Sequence, residues 1–332
     1  MSLPMSVSKR YVLRLSALAL VSGLMAAASL GAFAADMKSV AVTAIVEHPA
    51  LDATRDGIKE GLKEDGFVVG KNLKWEYQSA QGNPGTAAQI ARKFIGDQPD
   101  VIVGIATPSA QALVAATKTV PIVFTTVTDP VDAQLIKSWG PSGTNVAGVS
   151  DRLELDKQVD LIRRIVPNAK RVGMVYNPGE VNSTVVVKQL KQILPKYGMT
   201  LVEAAAPRSV DVSSAARSLV GKVDVIYTNT DNAVVSAYES LVKVGNDSHI
   251  PLIASDTDSV KRGAIAALGI NYFDIGKQTG HMVARILRGE KPGTIAPESS
   301  NNLELYVNTS AAAKQGVKLS SDLLKSAKEV IR

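Results

Sequence analysis

The chain has 332 residues, a formal net charge of +6 and no cysteine. That length fits two domains of ~150 residues, and an apolar content of 45% is enough to give each a core. Without cysteine there is no disulfide, no thiolate-held zinc or iron–sulfur centre, no thiol nucleophile and no cysteine-linked lipid anchor. The only histidines are His48, His249 and His281, so a histidine-rich metal cluster is not expected.

The first 34 residues account for half of the charge. Lys9, Arg10 and Arg14 form a basic start, Leu15 to Leu30 is an uncharged apolar run, and Ala32-Phe33-Ala34 is a small-x-small cleavage pattern. This is the order of a secretory signal peptide, with cleavage expected after Ala34. The run is shorter than the ~20 residues of a membrane span and rich in Ala, Ser and Gly. Cleavage removes three basic residues and no acidic ones, and the charge falls from +6 to +3. Lys and Arg are scattered among Asp and Glu without interleaved aromatics, so nucleic acid is not an expected partner.

Beyond the leader, strands and helices alternate. Residues 39–46 read as a buried strand, and Leu51, Ile58 and Leu62 mark one face of a helix stopped by Gly66. A strand at 73–77, a helix through Ala87–Ile95, a strand at 100–105, a helix from Pro108 and a strand at 121–127 follow. Further strands fall at 145–149, 171–176, 223–228, 251–254 and 264–268. Near-continuous apolar strands between amphipathic helices predict parallel sheets covered on both faces.

The pattern repeats. Asp100-Val-Ile-Val with the turn Thr107-Pro108-Ser109 returns as Asp224-Val-Ile-Tyr with the turn Asn229-Thr230-Asp231-Asn232, an offset of 124. Pro121-Ile-Val-Phe returns as Pro251-Leu-Ile-Ala, an offset of 130. Two similar βαβ sets predict two similar lobes. Their polar turns fall at strand carboxyl ends, where α/β proteins bind ligands, so an interlobe cleft is expected.

Catalytic signatures are absent. There is no G-x-S-x-G, H-E-x-x-H or G-x-G-x-x-G. Gly66-Phe-Val-Val-Gly70-Lys71-Asn72 is one residue short of a phosphate loop and precedes a strand, so it reads as a helix stop and a turn. Glu47-His48 reads more simply as an N-terminal turn than as acid–base chemistry, and neither His249 nor His281 has a visible partner. Asp256 and Asp258 fit helix caps. A two-lobed periplasmic hydrolase is the alternative reading, with no positive signature behind it. A sugar-sensing repressor would need a DNA-binding helix pair where the leader stands.

An ordered set of stretches resembles one family. It runs through Glu47-His-Pro-Ala-Leu-Asp52, Ala80-Gln-Gly82, Pro99-Asp-Val-Ile-Val103, Ala106-Thr-Pro-Ser-Ala-Gln111, Pro121-Ile-Val-Phe124 and Val127-Thr-Asp-Pro130. It continues through Asn145-Val-Ala-Gly-Val-Ser-Asp151, Tyr176-Asn-Pro-Gly-Glu-Val-Asn-Ser183, Thr230-Asp-Asn232, Ile250-Pro-Leu-Ile253 and Leu287-Arg-Gly-Glu290. The chain resembles the solute-binding proteins of ABC importers with the type I periplasmic-binding fold, and within them the tryptophan/tyrosine uptake branch. Many relatives carry an N-terminal lipid-anchoring cysteine and this chain has none, which implies free diffusion in a Gram-negative periplasm.

The resemblance implies an α/β fold of two Rossmann-like lobes joined by a three-crossover hinge. The lobes are expected at 35–150 plus 273–299 and at 151–272 plus 300–332. It implies a non-enzymatic monomer that closes on an aromatic or branched amino acid, without cofactor or metal, and hands it to an inner-membrane ABC permease. A carboxylate needs helix N-terminal N–H groups and hydroxyls, which points to Thr107, Ser109, Ala110, Thr126 and Thr128. An ammonium needs carboxylates and amide oxygens, which points to Glu180, Asp231 and Asp256, supported by Asn177, Asn182, Asn229 and Asn232. Glu47 and His48, at a strand end of the first lobe, could close the cleft. Phe124, Tyr227, Tyr238 and Tyr272 are candidate walls for an aromatic ring, with core packing favoured for Phe124 and Tyr227.

Overall fold

The computed structural model describes residues 37–300 and 302–332, so the expected leader at 1–34 lies outside the described residues. The first lobe follows the chain as β1 (Lys38–Ala44), α1 (Pro49–Glu64), β2 (Leu73–Ser79), α2 (Pro84–Asp97), β3 (Val101–Ile105), α3 (Thr107–Ala116), β4 (Ile122–Thr125) and β5 (Val146–Ser150). The second runs as α4 (Leu155–Ile165), β6 (Arg171–Tyr176), α5 (Val181–Ile193), β7 (Thr200–Ala205), α6 (Val212–Ser218), β8 (Val225–Thr228), α7 (Asn232–Ser236), α8 (Tyr238–Ser248), β9 (Leu252–Ala254), α9 (Thr257–Lys261) and β10 (Ala266–Ile270). The chain ends with α10 (Tyr272–Leu287), β11 (Glu298–Ser299), β12 (Leu303–Asn308), α11 (Thr309–Lys314), α12 (Ser321–Ser326) and β13 (Glu329–Ile331).

The strands form two sheets, ordered β11-β5-β4-β3-β1-β2 and β13-β12-β10-β9-β8-β6-β7. The first is parallel throughout. In the second, β12 runs antiparallel to β10, a reversal outside the parallel pattern expected from the apolar runs. From the sequence, residues 303–331 are expected in the second lobe without an assigned strand or helix; Glu304 interrupts the otherwise apolar run of β12.

The repeat seen in the sequence has a structural cause. Asp100, just before β3, accepts hydrogen bonds at Oδ2 from Ser39 N and Oγ, both at 2.7 Å. Asp224, just before β8, accepts at Oδ2 from Lys170 N at 2.9 Å and Arg171 N at 2.8 Å. In each lobe one aspartate clamps the start of the neighbouring strand.

Helix α1 starts at Pro49, whose missing N–H costs nothing in a first turn. Its buried face (Leu51, Thr54, Gly57, Ile58, Gly61, Leu62) meets α10, which comes from 200 residues further along the chain. Gly57 and Gly61 face Gly276 and Gly280 across that contact. A Cβ on Gly57 would stand 2.2 Å from Phe273 O, and one on Gly276 would stand 2.2 Å from Thr54 O. Only hydrogen fits between backbones this close, so the four glycines dock α10 on the first lobe.

The chain crosses between the lobes after β5, after β10 and after β11. Sheet pairing holds these segments near one another, with Ser150 opposite Ser299 and Ile270 opposite Leu303. Among the described residues, no helix is long and apolar enough to cross a membrane.

Candidate functional site

Between the strand ends of the two lobes lies a pocket enclosing about 340 Å³ of non-atom space, part of it open to solvent. The first lobe contributes His48, Leu51, Thr107 and Thr126, the second Asn182, Asn232, Val235 and Asp256, and the crossovers Asp151 and Tyr272. No lysine or arginine lines it. The lobes touch across it, with Thr128 Oγ1 and Thr230 Oγ1 3.5 Å apart.

The first-lobe edge is built around the start of α3. Ala106 precedes that helix at φ +71° and Thr126 follows β4 at φ +53°, both in the left-handed region that side-chain-bearing residues rarely occupy. Ala106 N holds the pair together by donating to Thr125 O and to Thr126 Oγ1, each at 3.0 Å. The strained turn aims the first turn of α3, with its free N–H groups and positive dipole end, at the pocket. Beside it, the hydroxyls of Thr107 and Ser109 are buried without a hydrogen-bond partner. His48 Nδ1 is buried and unpartnered as well. Burial, with Arg262 nearby, pushes the His48 pKa down to about 3, which keeps the ring neutral.

Two carboxylates face this edge. Asp151 is buried where the chain first crosses, accepting from Thr128 Oγ1 at 3.1 Å and from Tyr272 Oη at 2.8 Å. Asp256 caps α9, accepting from Ser259 N at 2.8 Å and from Ser259 Oγ at 2.6 Å. Burial raises the pKa of both. Arg262, the cation nearest Asp256, is committed to Glu239 through two 2.7 Å contacts. Asn182 Oδ1 is a further buried acceptor without a partner.

Other residues chosen from the sequence are occupied elsewhere. Asp231 is the side-chain cap of α7, accepting from Val234 N at 2.9 Å, Asn177 N at 2.7 Å and Ser183 Oγ at 2.6 Å. Glu180 Oε2 accepts from Asn182 Nδ2 at 3.0 Å, Asn232 N at 3.1 Å and Asn232 Nδ2 at 2.6 Å. Its pKa is pushed up to about 7 by burial, and then by repulsion from Asp231. Glu180 and Asn177 line a wider groove at the mouth of the cleft, not the inner pocket. Ala110 N donates to Ala106 O within the helix, so it is not a free donor. Glu47 is exposed, and its neighbour His48 faces the ligand space instead. Asn229 lines an adjoining chamber.

Of the aromatic candidates, Tyr272 lines the inner pocket and Tyr227 the adjoining chamber. Phe124 packs on Gly148 within the first core and Tyr238 lies in a core of the second lobe. His281 has partners that the sequence did not reveal, Asp65 at 2.7 Å and Glu64 at 3.3 Å. His249 Nδ1 lies 3.0 Å from Lys314 O. Asp151 and Thr230 were absent from the sequence-based set. Both sit just past a strand's carboxyl end, the rule that found the others.

A two-lobed α/β cleft of this kind matches a known family over nearly the whole chain. Residues 39–331 match the profile of ABC transporter substrate binding proteins. The chain belongs to that family. It is 40% identical over 289 residues to a tyrosine-binding protein of Clostridioides difficile (strain R20291), covering 87% of this chain and 84% of that one. Among solved structures it resembles an ABC domain from Streptococcus pneumonia in complex with L-Trp, with a TM-score of 0.86, 32% identity and coverage of 89% and 99%. It also resembles the ligand-free, open structure of a substrate binding protein from Clostridium difficile, with a TM-score of 0.67, 40% identity and coverage of 89% and 99%. The family and these relatives are substrate-binding proteins.

Proposed function

We propose that this protein captures a free L-amino acid, with tyrosine and tryptophan favoured, and passes it to an ABC permease. The observation that carries this reading is the complementarity of the inner pocket to a zwitterion. On one side stand the first turn of α3 and the unpartnered Thr107 hydroxyl, which suit a carboxylate. On the other stand Asp151, Asp256 and Asn182 Oδ1, which suit the three hydrogens of an ammonium. An ammonium there would supply the counter-charge that two buried carboxylates otherwise lack. Neutral His48 closes the pocket without adding a competing positive charge.

Capture proceeds by hinge closure about the three crossovers. The lobe arrangement supports a closed form, because the chain superimposes better on the L-Trp complex than on the open relative that is nearer to it in sequence. The lobes would comprise 35–150 with 273–299 and 151–272 with 300–332, acting as a monomer. The leader at 1–34 fits export to the periplasm, and the absence of cysteine fits a freely diffusing mature chain.

The test is thermal unfolding of the mature chain with each L-amino acid. Ligand at 100 times its Kd stabilises by ~2.7 kcal/mol, so tyrosine or tryptophan is expected to raise the Tm by several degrees. No response to any amino acid overturns the ligand class. Chemical turnover of a stabilising compound overturns the receptor reading.

A further inference from the structure

Adjoining the inner pocket is a second chamber, enclosing about 380 Å³ of non-atom space partly open to solvent, that shares Thr128, Asp151 and Thr230 with it. The inner pocket combines hydroxyls, amides and carboxylates with small aliphatic groups. The second sets four larger branched side chains, Leu153, Leu155, Val185 and Val186, beside the polar Gln189. At the β8 and β9 ends it presents Tyr227 Oη, Asn229 Oδ1 and Ser255 Oγ. All three residues are at least 98% buried, and none of these atoms makes a hydrogen bond of acceptable geometry, although Tyr227 and Ser255 are close neighbours. Buried polar atoms without partners cost ~1–3 kcal/mol each, so three at one end of the chamber mark a place built to be filled. The charged groups at its edge are engaged elsewhere. Asp129 Oδ1 accepts from Val131 N and Asp132 N, and Arg152 lies over the Trp139 ring.

We infer that this chamber is the side-chain subsite, and that it selects an aromatic ring carrying an O–H or N–H donor over an unsubstituted ring. The inference rests on the amino-acid reading above. Asp151 belongs to both chambers, so an ammonium held there places the ligand's Cα at the junction and sends its side chain past Thr128 and Thr230. The four branched side chains then receive the ring, and Asn229 Oδ1, Tyr227 Oη and Ser255 Oγ meet the phenol or indole donor at its far end. A site that leaves buried polar atoms unmatched rejects the ligand lacking the donor.

The experiment is calorimetric titration of the mature chain with L-Phe, L-Tyr and L-Trp, repeated on Tyr227→Phe/Ser255→Ala. The wild-type chain is expected to bind Tyr and Trp roughly ten-fold more tightly than Phe. The double variant is expected to narrow that gap to about two- to three-fold with Phe affinity retained or improved. The two hydroxyls have no neighbour to bond but each other, so removing both strands neither and the melting temperature should hold, with Ser255→Ala alone as a milder version. Equal binding of the three amino acids by the wild-type chain overturns the subsite. So does a wild-type preference that survives unchanged in the double variant. Failure of all three to bind overturns instead the amino-acid reading on which the subsite rests.

Discussion

The two edges of the cleft use similar residue types for different work. On the second-lobe edge, Asp231, Glu180, Ser183, Asn182 and Asn232 bond mainly to one another and to the backbone. Elsewhere around the cleft capacity is left over: Thr107, Ser109 and His48 on the first lobe and Asn182 Oδ1, Asn229 Oδ1 and Ser255 on the second keep unpartnered atoms, and Asp151 at the hinge and Asp256 on the second lobe have no committed cation. The chemistry of a side chain is therefore a poor guide to its role here. What separates scaffold from site is whether its hydrogen-bonding capacity is already spent. The saturated network around Asp231 and Glu180 fixes the shape of one jaw, and the unsaturated atoms around the rest of the cleft are left for a ligand to complete.

Four measurements would break or sharpen this contrast. The largest effect is expected on the saturated edge. Asp231→Ala removes a helix cap and two further buried acceptor contacts, and should cost about 3 kcal/mol in denaturant unfolding. Amino-acid affinity measured on the folded fraction should change little. An affinity loss larger than the stability loss would move Asp231 to the ligand.

Asp151→Asn should do the reverse. Its amide can still bond the Thr128 and Tyr272 hydroxyls, so unfolding should be unchanged or slightly harder, while amino-acid affinity drops about 30-fold through loss of a charge-assisted contact. Retained affinity would remove Asp151 from the ammonium site. Thr107→Val is a smaller version of the same test. Its hydroxyl has no protein partner, so stability should hold and affinity should fall about five-fold.

The smallest effect is pH dependence. The Glu180 pKa is raised from 4.5 to about 7 in the folded state. Between those values the folded protein holds a proton that the unfolded chain has released, so this group lowers stability as pH rises through the window. His48, depressed from 6.5 to about 3, acts oppositely and lowers stability as pH falls from 6.5 towards 3. Glu180→Gln should therefore remove the Glu180 contribution, which falls between pH 4.5 and 7, and leave the opposing contribution of His48, so that stability rises more steeply with pH in that window. An unchanged pH profile would show that Glu180 titrates normally. Ligand binding should weaken on acidification from a pH above the usual aspartate range, because Asp151 and Asp256 take up protons early.

Much of the architecture follows from local chemistry. Apolar, β-branched runs such as Val101–Ile105 are buried on both faces and can be little else than inner strands of a parallel sheet. The paired Asp100 and Asp224 showed the two-lobe repeat directly, since each clamps a strand start through contacts any similar lobe would need. The turns that carry the site were also visible, because helix-starting Thr, Asn and Asp cluster at strand ends. Residues 303–331 were less legible, since β12 takes its place through pairing with β10 and a charged residue breaks its pattern.

Sequence by itself thus determined the elements, the duplication and the cleft-facing turns, all of which depend on neighbours a few residues away. Tertiary structure decided which polar atoms in those turns are spent and which are free. Asp151 meets Tyr272 across 121 residues, and α10 meets α1 through glycines some 220 positions apart. No local pattern encodes such contacts. They exist because the hinge strands pair and the helix backbones approach within the width of a hydrogen, and the fold they complete sets which polar atoms around the cleft are spent and which stay open.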